Sequence, residues 1–440
     1  MSVIATDFAG PAGYELPASV EISRLSNGLL VVTDRMDHLE SASLGVWVRA
    51  GSRDETDAEH GLSHMLEHMA FKGTGSRSAQ EIAEAIENVG GDLNAATSSE
   101  TTAFYARVLQ SDVPLALELL SDILVDSNFD EGELEREKHV ILQEIGAAKD
   151  NPEDQCFDQY QESAFSGQAL GRQIMGTPET VSGFSTDGLK AYLAERYHGS
   201  NMVLSASGAV SHDAIVKQAE GLFGALPASP VSQPHAARYT GGDARTAKPL
   251  QEAQFVLGFE GRAYQARDYY ASQVLATLLG GGMSSRLFQE LRERRGLCYS
   301  IYAFHWAFSD TGTFGIHAAT EEGDLLELAE VVAAELIGCI DSISVQELDR
   351  ARAQIRAGLL MAMETPSARA GLLARQQLLF GRPITTQELM DRLSALTPQR
   401  LRDLASNIFT TSPPTISAIG PIASLPSMDD MRERLGQRLS

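Results

Sequence analysis

Residues 60–68, HGLSHMLEH, place three histidines at intervals of four, with a glutamate directly before the last one. Positions four apart lie on one face of a helix, so His60, His64 and His68 could all face a single metal ion. A catalytic zinc site needs three histidine or carboxylate ligands and an open position for water. Glu67, next to two such ligands, could accept a proton from that water without binding the metal.

The three histidines are not equivalent, because Gly61 directly follows His60. Glycine is unfavourable inside a helix, so we expect His60 at the helix start, outside the row of ligands. His64 and His68 remain as a pair, with Glu67 between them. Their order, H-x-x-E-H, is the inverse of the more familiar zinc-protease motif and predicts metal-assisted hydrolysis.

A third ligand must come from another segment. The charged stretch 131–149 is predicted to be helical and offers five candidates: Glu133, Glu135, Glu137, His139 and Glu144. Three apolar residues indicate the buried side of this helix: Val140, Ile141 and Ile145. Glu144 adjoins that side, and Glu137 lies two turns earlier, nearer its edge. A buried carboxylate is costly unless it is paired or binds a metal, but periodicity alone leaves both Glu144 and Glu137 open.

The strands and helices that must position these residues are predicted to occur in groups along the sequence, not in strict alternation. SVEISRL and LLVVTDR flank Asn27-Gly28, a strong hairpin signal, and ASLGVWVRAG follows as a third strand. Helices are predicted at the histidines and at EIAEAIENVGG, then one or two strands in DLNAATSSETTAFYARVL, then two more helices up to residue 150. Blocks of this kind favour an α+β fold with a largely antiparallel sheet.

An internal repeat organises the 440 residues. VSGFSTDGLKAYL resembles LSALTPQRLRDLA, and SASGAV resembles SAIGPI, both at an offset of 212. We therefore predict two homologous domains, a catalytic one at 1–225 and a second at 250–440, joined by a Pro/Gly/Ala-rich linker at 226–249. In the second copy ATLLGGG replaces the histidine motif and Gly358 replaces Glu144, so a metal site is expected only in the first.

Composition excludes several classes of protein. The chain has 59 acidic and 35 basic residues, a formal net charge of −24, which disfavours nucleic acids and anionic membranes. Three cysteines without metal-like spacing indicate reduced thiols in a cytoplasmic protein. The stretch MSVIATDFAGPAGYELP lacks a secretory signal pattern, and no apolar run is long enough for membrane insertion.

Four longer motifs extend the pattern: HMLEHMAFKGT, LNAATSSETTAFYAR, EREKHVILQEI and SSRLFQELRERRGLCYSIYAF. Over roughly residues 20–425 the sequence resembles the pitrilysin family of zinc peptidases, the inverzincins, especially the mitochondrial processing peptidase branch and its bacterial homologues. The resemblance implies paired α+β domains that form half of a clamshell chamber. It also implies a zinc-dependent endopeptidase that cleaves short or unfolded peptides inside that chamber.

By resemblance, the zinc ligands are His64, His68 and Glu144, with Glu67 as general base and Glu137 in a supporting position. The resemblance thus favours Glu144 over Glu137 as third ligand. Substrate binding is assigned to an arginine and a tyrosine seven residues apart, and to an edge strand at residues 93–97. The residues concerned are Arg292, Tyr299, Asn94 and Ala95.

The resemblance also bears on specificity and assembly. Asp154 and Asp158 match acidic positions that select an arginine near the cleaved bond, which implies basic or extended peptide substrates. Because one chain makes half of a clamshell, we expect a homodimer, with a monomer as the other possibility. The alternative function is a non-catalytic peptide-binding or assembly subunit of a processing peptidase complex, which the intact H-x-x-E-H motif disfavours.

Overall fold

A computed structural model describes residues 14–229 and 235–437. Most of the N-terminal stretch considered for a signal, and residues 230–234 of the segment interpreted as a linker, lie outside the described residues. The chain divides into two compact units, each drawing on both halves of the sequence. The first contains residues 1–145, 173–235 and 360–388, and the second contains 146–172, 236–359 and 389–440.

The strands, in chain order, are β1 Val20–Arg24, β2 Leu30–Arg35, β3 Ser41–Val48, β4 Asp92–Thr97, β5 Thr102–Leu109, β6 Met202–Gly208, β7 Gly242–Ala247, β8 Ala253–Glu260, β9 Ser300–Ala307, β10 Gly312–Thr320 and β11 Thr415–Gly420.

The helices are α1 Leu62–Ala70, α2 Ala79–Glu87, α3 Val113–Val125, α4 Glu131–Asp150, α5 Pro152–Ala164, α6 Pro178–Gly183, α7 Thr186–Arg196, α8 His212–Phe223, α9 Tyr269–Gly280, α10 Leu325–Asp341, α11 Val345–Ala362, α12 Pro366–Phe380, α13 Thr386–Ser394, α14 Pro398–Ser406 and α15 Met428–Arg434. None of the described helices combines the length and apolar content that crossing a bilayer requires.

The sheet of the first unit has the order β1-β2-β6-β3-β5-β4. The predicted hairpin is confirmed, with β1 and β2 antiparallel around Asn27-Gly28. DLNAATSSETTAFYARVL, left open as one strand or two, forms the antiparallel pair β4 and β5. Among its described strands only β2 and β6 run parallel, so the sheet is largely antiparallel, as predicted.

The sheet of the second unit has the order β7-β11-β8-β10-β9, with β7 and β11 as its parallel pair. It repeats the first sheet from β2 onward, so β6 and β11, which carry SASGAV and SAIGPI, hold equivalent positions. Strand β7 lies within the segment 226–249 that composition marked as a linker. Two sheet-and-helix domains of one architecture therefore make up the chain.

Each sheet packs against a helix that follows a long charged helix. In the first unit, α12 covers Val32, Trp47 and Val203 of the sheet, and the Ser205 hydroxyl donates to the carbonyl oxygen of Ala370 at 2.8 Å. In the second unit, α5 packs on β8 and β11 in the same way. Since α5 comes from the first half of the sequence and α12 from the second, the two repeats exchange one helix.

Candidate metal centre

Helix α1 carries the histidine motif, and its first turn is fixed by two features. Gly61 caps the helix with a φ of +95°, and a Cβ there would lie 2.7 Å from the Cα of Gly176, so only glycine fits. The buried Glu55 carboxylate accepts the backbone N–H groups of Gly61 at 2.8 Å and of Ser63 at 2.7 Å. A negative charge at a helix N-terminus also interacts favourably with the helix dipole and stabilises the helix.

The orientation of α1 leaves one polar stripe accessible. His64, Glu67 and His68 are partly exposed, whereas the other residues of the helix are buried. His60 precedes the helix, and its Nε2 lies 2.7 Å from the carbonyl oxygen of Gln173. His60 therefore stands at the helix start, as Gly61 predicted.

His64, His68 and Glu144 converge on one point. The Oε2 atom of Glu144 lies 3.8 Å from His64 Nε2 and 3.6 Å from His68 Nε2. All three candidate ligand atoms lie within 4.8 Å of one another, and no other such group of three occurs among residues 14–229 and 235–437. Tetrahedral zinc with bonds of about 2.0–2.1 Å would separate its ligand atoms by roughly 3.3 Å, so the set fits zinc after a small contraction.

The protonation of the histidines suits a metal. Burial, together with the neighbouring His68, lowers the pKa of His64 to about 4. The Nδ1 atom of His68 lies 2.9 Å from Glu137 Oε2, which as a carboxylate accepts its hydrogen and leaves the Nε2 lone pair toward Glu144. Two imidazole nitrogens and a carboxylate oxygen thus converge, and these are ligand types that zinc prefers.

The relative burial of the two α4 carboxylates is the reverse of the sequence prediction. Glu137, expected nearer the edge, has a side chain only 7% exposed, whereas that of Glu144 is 41% exposed. Val140, assigned to the buried side, is also exposed, while Ile141 and Ile145 are buried as predicted. Glu144 lies on the open side of the helix, where solvent has access.

The end of strand β4 contacts the proposed base. The Thr97 hydroxyl donates a hydrogen bond to Glu67 Oε2, which ties α1 to β4. Strand β4 is the last strand of its sheet and pairs only with β5 among the described strands. Asn94 and Ala95 lie on it, Asn94 exposed and Ala95 half-buried. Among the described strands, its outer edge therefore has no partner strand, the arrangement that an added strand would need.

Arg292 and Tyr299, in the second unit, lie in contact. The Arg292 guanidinium carbon is 4.6 Å from the centre of the Tyr299 ring and 4.7 Å from that of Phe288. The Tyr299 side chain is 78% exposed. The two rings hold the guanidinium by cation–π contacts, and the tyrosine hydroxyl remains accessible to a ligand.

Asp154 and Asp158 lie one turn apart on α5, in the second unit. Asp154 accepts a hydrogen bond from the Asn151 amide at 2.8 Å. Burial raises the pKa of Asp158 to about 6, with further contributions from Asp154 and Glu162. The pair is thus a partly buried acidic site whose charge changes near neutral pH.

Two residues at the metal centre were missed by the sequence analysis. Glu55 lies nine residues before the first ligand, outside any recognisable capping pattern, and its role depends on a turn that the sequence does not specify. Lys72 follows α1, and its Nζ lies 2.7 Å from Glu137 Oε1. Its spacing of four from His68 was a usable signal, because it places both residues on one side of the chain.

Two models of known protein families match the chain. A family model described as "Insulinase (Peptidase family M16)" matches residues 30–178, and one described as "Peptidase M16 inactive domain" matches residues 183–355. Together they cover more than half of the chain. The second description agrees with the absence of the histidine motif from the second repeat.

Curated relatives cover nearly the whole chain. An uncharacterized zinc protease of Rickettsia bellii is 38% identical over 401 residues, spanning 91% of this chain and 97% of the relative. An uncharacterized zinc protease of Bacillus subtilis is 35% identical over 408 residues, spanning 91% and 98%. A probable mitochondrial-processing peptidase subunit beta of Arabidopsis thaliana is 36% identical over 427 residues, spanning 94% and 80%.

Solved structures share the fold. The crystal structure of a protease from Helicobacter pylori superposes with a TM-score of 0.84 at 22% identity, covering 91% of this chain and 99% of that one. A chain of complex III2 from Candida albicans also gives 0.84 at 22% identity, covering 95% and 100%. The resemblance seen in the sequence motifs is thus confirmed: the chain belongs to the insulinase (M16) family of peptidases and is a zinc metalloprotease.

Proposed function

We propose that this metalloprotease is an endopeptidase for short or unfolded peptides, with zinc held by His64, His68 and Glu144 and with Glu67 as general base. The observation that carries the proposal is the convergence of three ligand atoms within 4.8 Å beside the accessible Glu67. Zinc, when bound, polarises the scissile carbonyl and lowers the pKa of water to about 7.

The residues of the chain supply the remaining chemistry. Glu67 accepts the proton of the attacking water and delivers it to the leaving amine. Thr97 holds one oxygen of that carboxylate, so the other oxygen carries the proton. Glu137 fixes His68 in the tautomer that presents Nε2 to the metal.

Substrate binding would use the free edge of β4. An extended peptide can add to this edge through main-chain hydrogen bonds, which depend little on its sequence. Asn94 and Ala95 would line the peptide at that edge. The added segment must be extended and must have unpaired main-chain groups, so this mode of binding favours unfolded segments. Arg292 and Tyr299 are proposed to hold the substrate backbone, with the accessible Tyr299 hydroxyl donating to the developing oxyanion.

We further propose a preference for cleavage near basic residues and a working assembly of two identical chains. The preference is supported by Asp154 and Asp158, which together form an anionic site for a guanidinium. Assembly with another chain is supported by relatives named as subunit beta of a mitochondrial-processing peptidase. We propose that the other chain is a second copy, because this chain carries both the H-x-x-E-H motif and the Arg292 and Tyr299 pair. The substrate chamber expected from the family resemblance would then be completed by the second copy.

The decisive experiment separates the base from the ligands. Glu67→Gln should keep zinc, by elemental analysis, yet lower kcat on an unstructured peptide by about 10²–10⁴-fold, because the general base is lost. Glu144→Gln should lose zinc as well as activity. Glu135→Gln, which removes an exposed carboxylate of α4 paired with Lys138, is the matched control and should change neither.

Persistent hydrolysis by Glu67→Gln would overturn the mechanism. Inactivity of the zinc-loaded natural chain on a mixed peptide library would instead favour the rival function, a peptide-binding subunit without catalysis.

A further inference from the structure

We propose that Lys72 is a positioning residue of the metal centre, acting on His68 through Glu137. The Glu137 carboxylate bridges the two side chains, with Oε1 at 2.7 Å from Lys72 Nζ and Oε2 at 2.9 Å from His68 Nδ1. The inference rests on the proposed role of His68 as a zinc ligand. According to this inference, zinc affinity depends on Lys72 although this residue is not a ligand.

The end of α1 places Lys72 beside this carboxylate. The helix ends at Ala70, where the Phe71 N–H bonds to the carbonyl oxygens of His68 and Met69. The Lys72 N–H bonds to the Met69 carbonyl oxygen at 3.1 Å, so the backbone makes one further turn. That turn brings the lysine to the same side as His68, four residues earlier, facing Glu137 on α4.

Charge explains why the lysine is needed. Glu137 is a nearly buried carboxylate, and His68 has Glu144 at 3.6 Å from its other ring nitrogen. Two carboxylates therefore lie on opposite sides of one imidazole. A buried carboxylate is unfavourable without a charged partner, and Lys72, 32% exposed, is the cation that contacts Glu137. Without it, Glu137 would turn toward solvent and leave the His68 ring free to rotate.

A purely structural ion pair would stabilise the fold without affecting the metal. The two roles differ in what a substitution changes. A structural pair would lower the melting temperature and leave zinc affinity alone. A positioning residue changes zinc binding through the Glu137 carboxylate, so the effect of losing Lys72 should disappear once residue 137 carries no charge.

The test measures zinc affinity of the full chain by competition with a chelator, which needs no activity assay. Lys72→Met should weaken zinc binding by up to about 10–100-fold, the usual loss when the partner that orients a ligand, here Glu137, is removed. Lys72→Arg keeps the charge and should remain close to the natural affinity. Lys138→Met is the matched control, because Lys138 pairs with Glu135, an α4 carboxylate that forms no ion pair with the proposed ligands in the described part of the chain.

A double-mutant cycle shows whether Glu137 carries the effect. Glu137→Gln alone should weaken zinc binding, and adding Lys72→Met should cause little further loss. With cobalt in place of zinc, the visible absorption bands should shift in Lys72→Met and return in Lys72→Arg, because they report ligand orientation. Lys72→Gln serves as a second neutral variant if the methionine variant fails to fold.

Natural zinc affinity in Lys72→Met or Lys72→Gln would overturn the proposal, even with a lower melting temperature. Full additivity of the Lys72 and Glu137 losses would overturn it too. Failure of the underlying site gives a different result: His64→Ala would then bind zinc as tightly as the natural chain. The two failures are thus distinguishable.

Discussion

Of the two glutamates Glu137 and Glu144, the more buried one is not the proposed metal ligand. The sequence indicated that both face one side of α4, and burial cost suggested that the ligand would be the more buried. Glu137 is the more buried one, and it is neutralised by Lys72 rather than by a metal. Glu144 is 41% exposed, which suits its proposed role as a ligand, because a catalytic metal must remain open to water and substrate. Helical periodicity gives the face of a residue but not the partners that a second helix brings to it.

Thr97 gives a test at the level of one hydrogen bond. Thr97→Val keeps the shape of the side chain and removes the donor to Glu67. A hydrogen bond to a charged group contributes about 1.5–3 kcal/mol, so we expect kcat to fall roughly 10–100-fold with KM and zinc content little changed. Steady-state kinetics check this.

Thr97→Ser restores the hydroxyl and should recover most of the rate. An unchanged kcat in Thr97→Val would show that Glu67 does not depend on this contact.

Individual elements were predicted well wherever a local signal exists. The β1–β2 hairpin follows from Asn27-Gly28, and the start of α1 follows from Gly61. The division of residues 92–109 into β4 and β5 was left open, because the Ser98–Thr101 turn is held by side-chain and backbone hydrogen bonds without a glycine. The exchange of α5 and α12 is a tertiary event, for which neither helix carries a local signal.

Helix α5 gives a test of specificity. The double substitution Asp154→Asn/Asp158→Asn should reduce the preference for cleavage near arginine, measured by mapping cleavage sites across a peptide library. Burial raises the pKa of Asp158 to about 6, so the natural preference should strengthen as pH rises through 6 and the carboxyl ionises. This pH dependence should disappear in the double variant.

Glu162→Gln removes a charge one turn further along α5 and serves as the control: the preference for arginine should be retained, and its pH dependence should move to lower pH because Glu162 helps to raise the pKa of Asp158. An arginine preference that is the same in the double variant would exclude the acidic site.

The whole chain is two repeats with divergent chemistry. The offset of 212 predicted the equivalence of β6 and β11, and the sheets share their strand order. The motif is present in one repeat only, so the proposed metal chemistry belongs to the first repeat. The bounds of the units did not follow from the repeat, because contacts between distant segments, such as α12 on β6, define them.

For the whole molecule, we predict a dimer of two identical chains. Light scattering of the purified chain should give twice the 47.4 kDa of one copy, and dilution to the monomer should abolish peptide cleavage. A monomer that cleaves at full rate would contradict the proposed pairing, and activity that appears only with a different partner chain would replace it.

The location of zinc tests the central claim most directly. An anomalous difference map, recorded at the zinc edge from crystals of the full chain, should show one peak bonded to His64, His68 and Glu144 at about 2.0–2.2 Å. The peak should vanish in Glu144→Gln. A zinc ion elsewhere in the chain, or one bound by Glu137 in place of Glu144, would contradict the account.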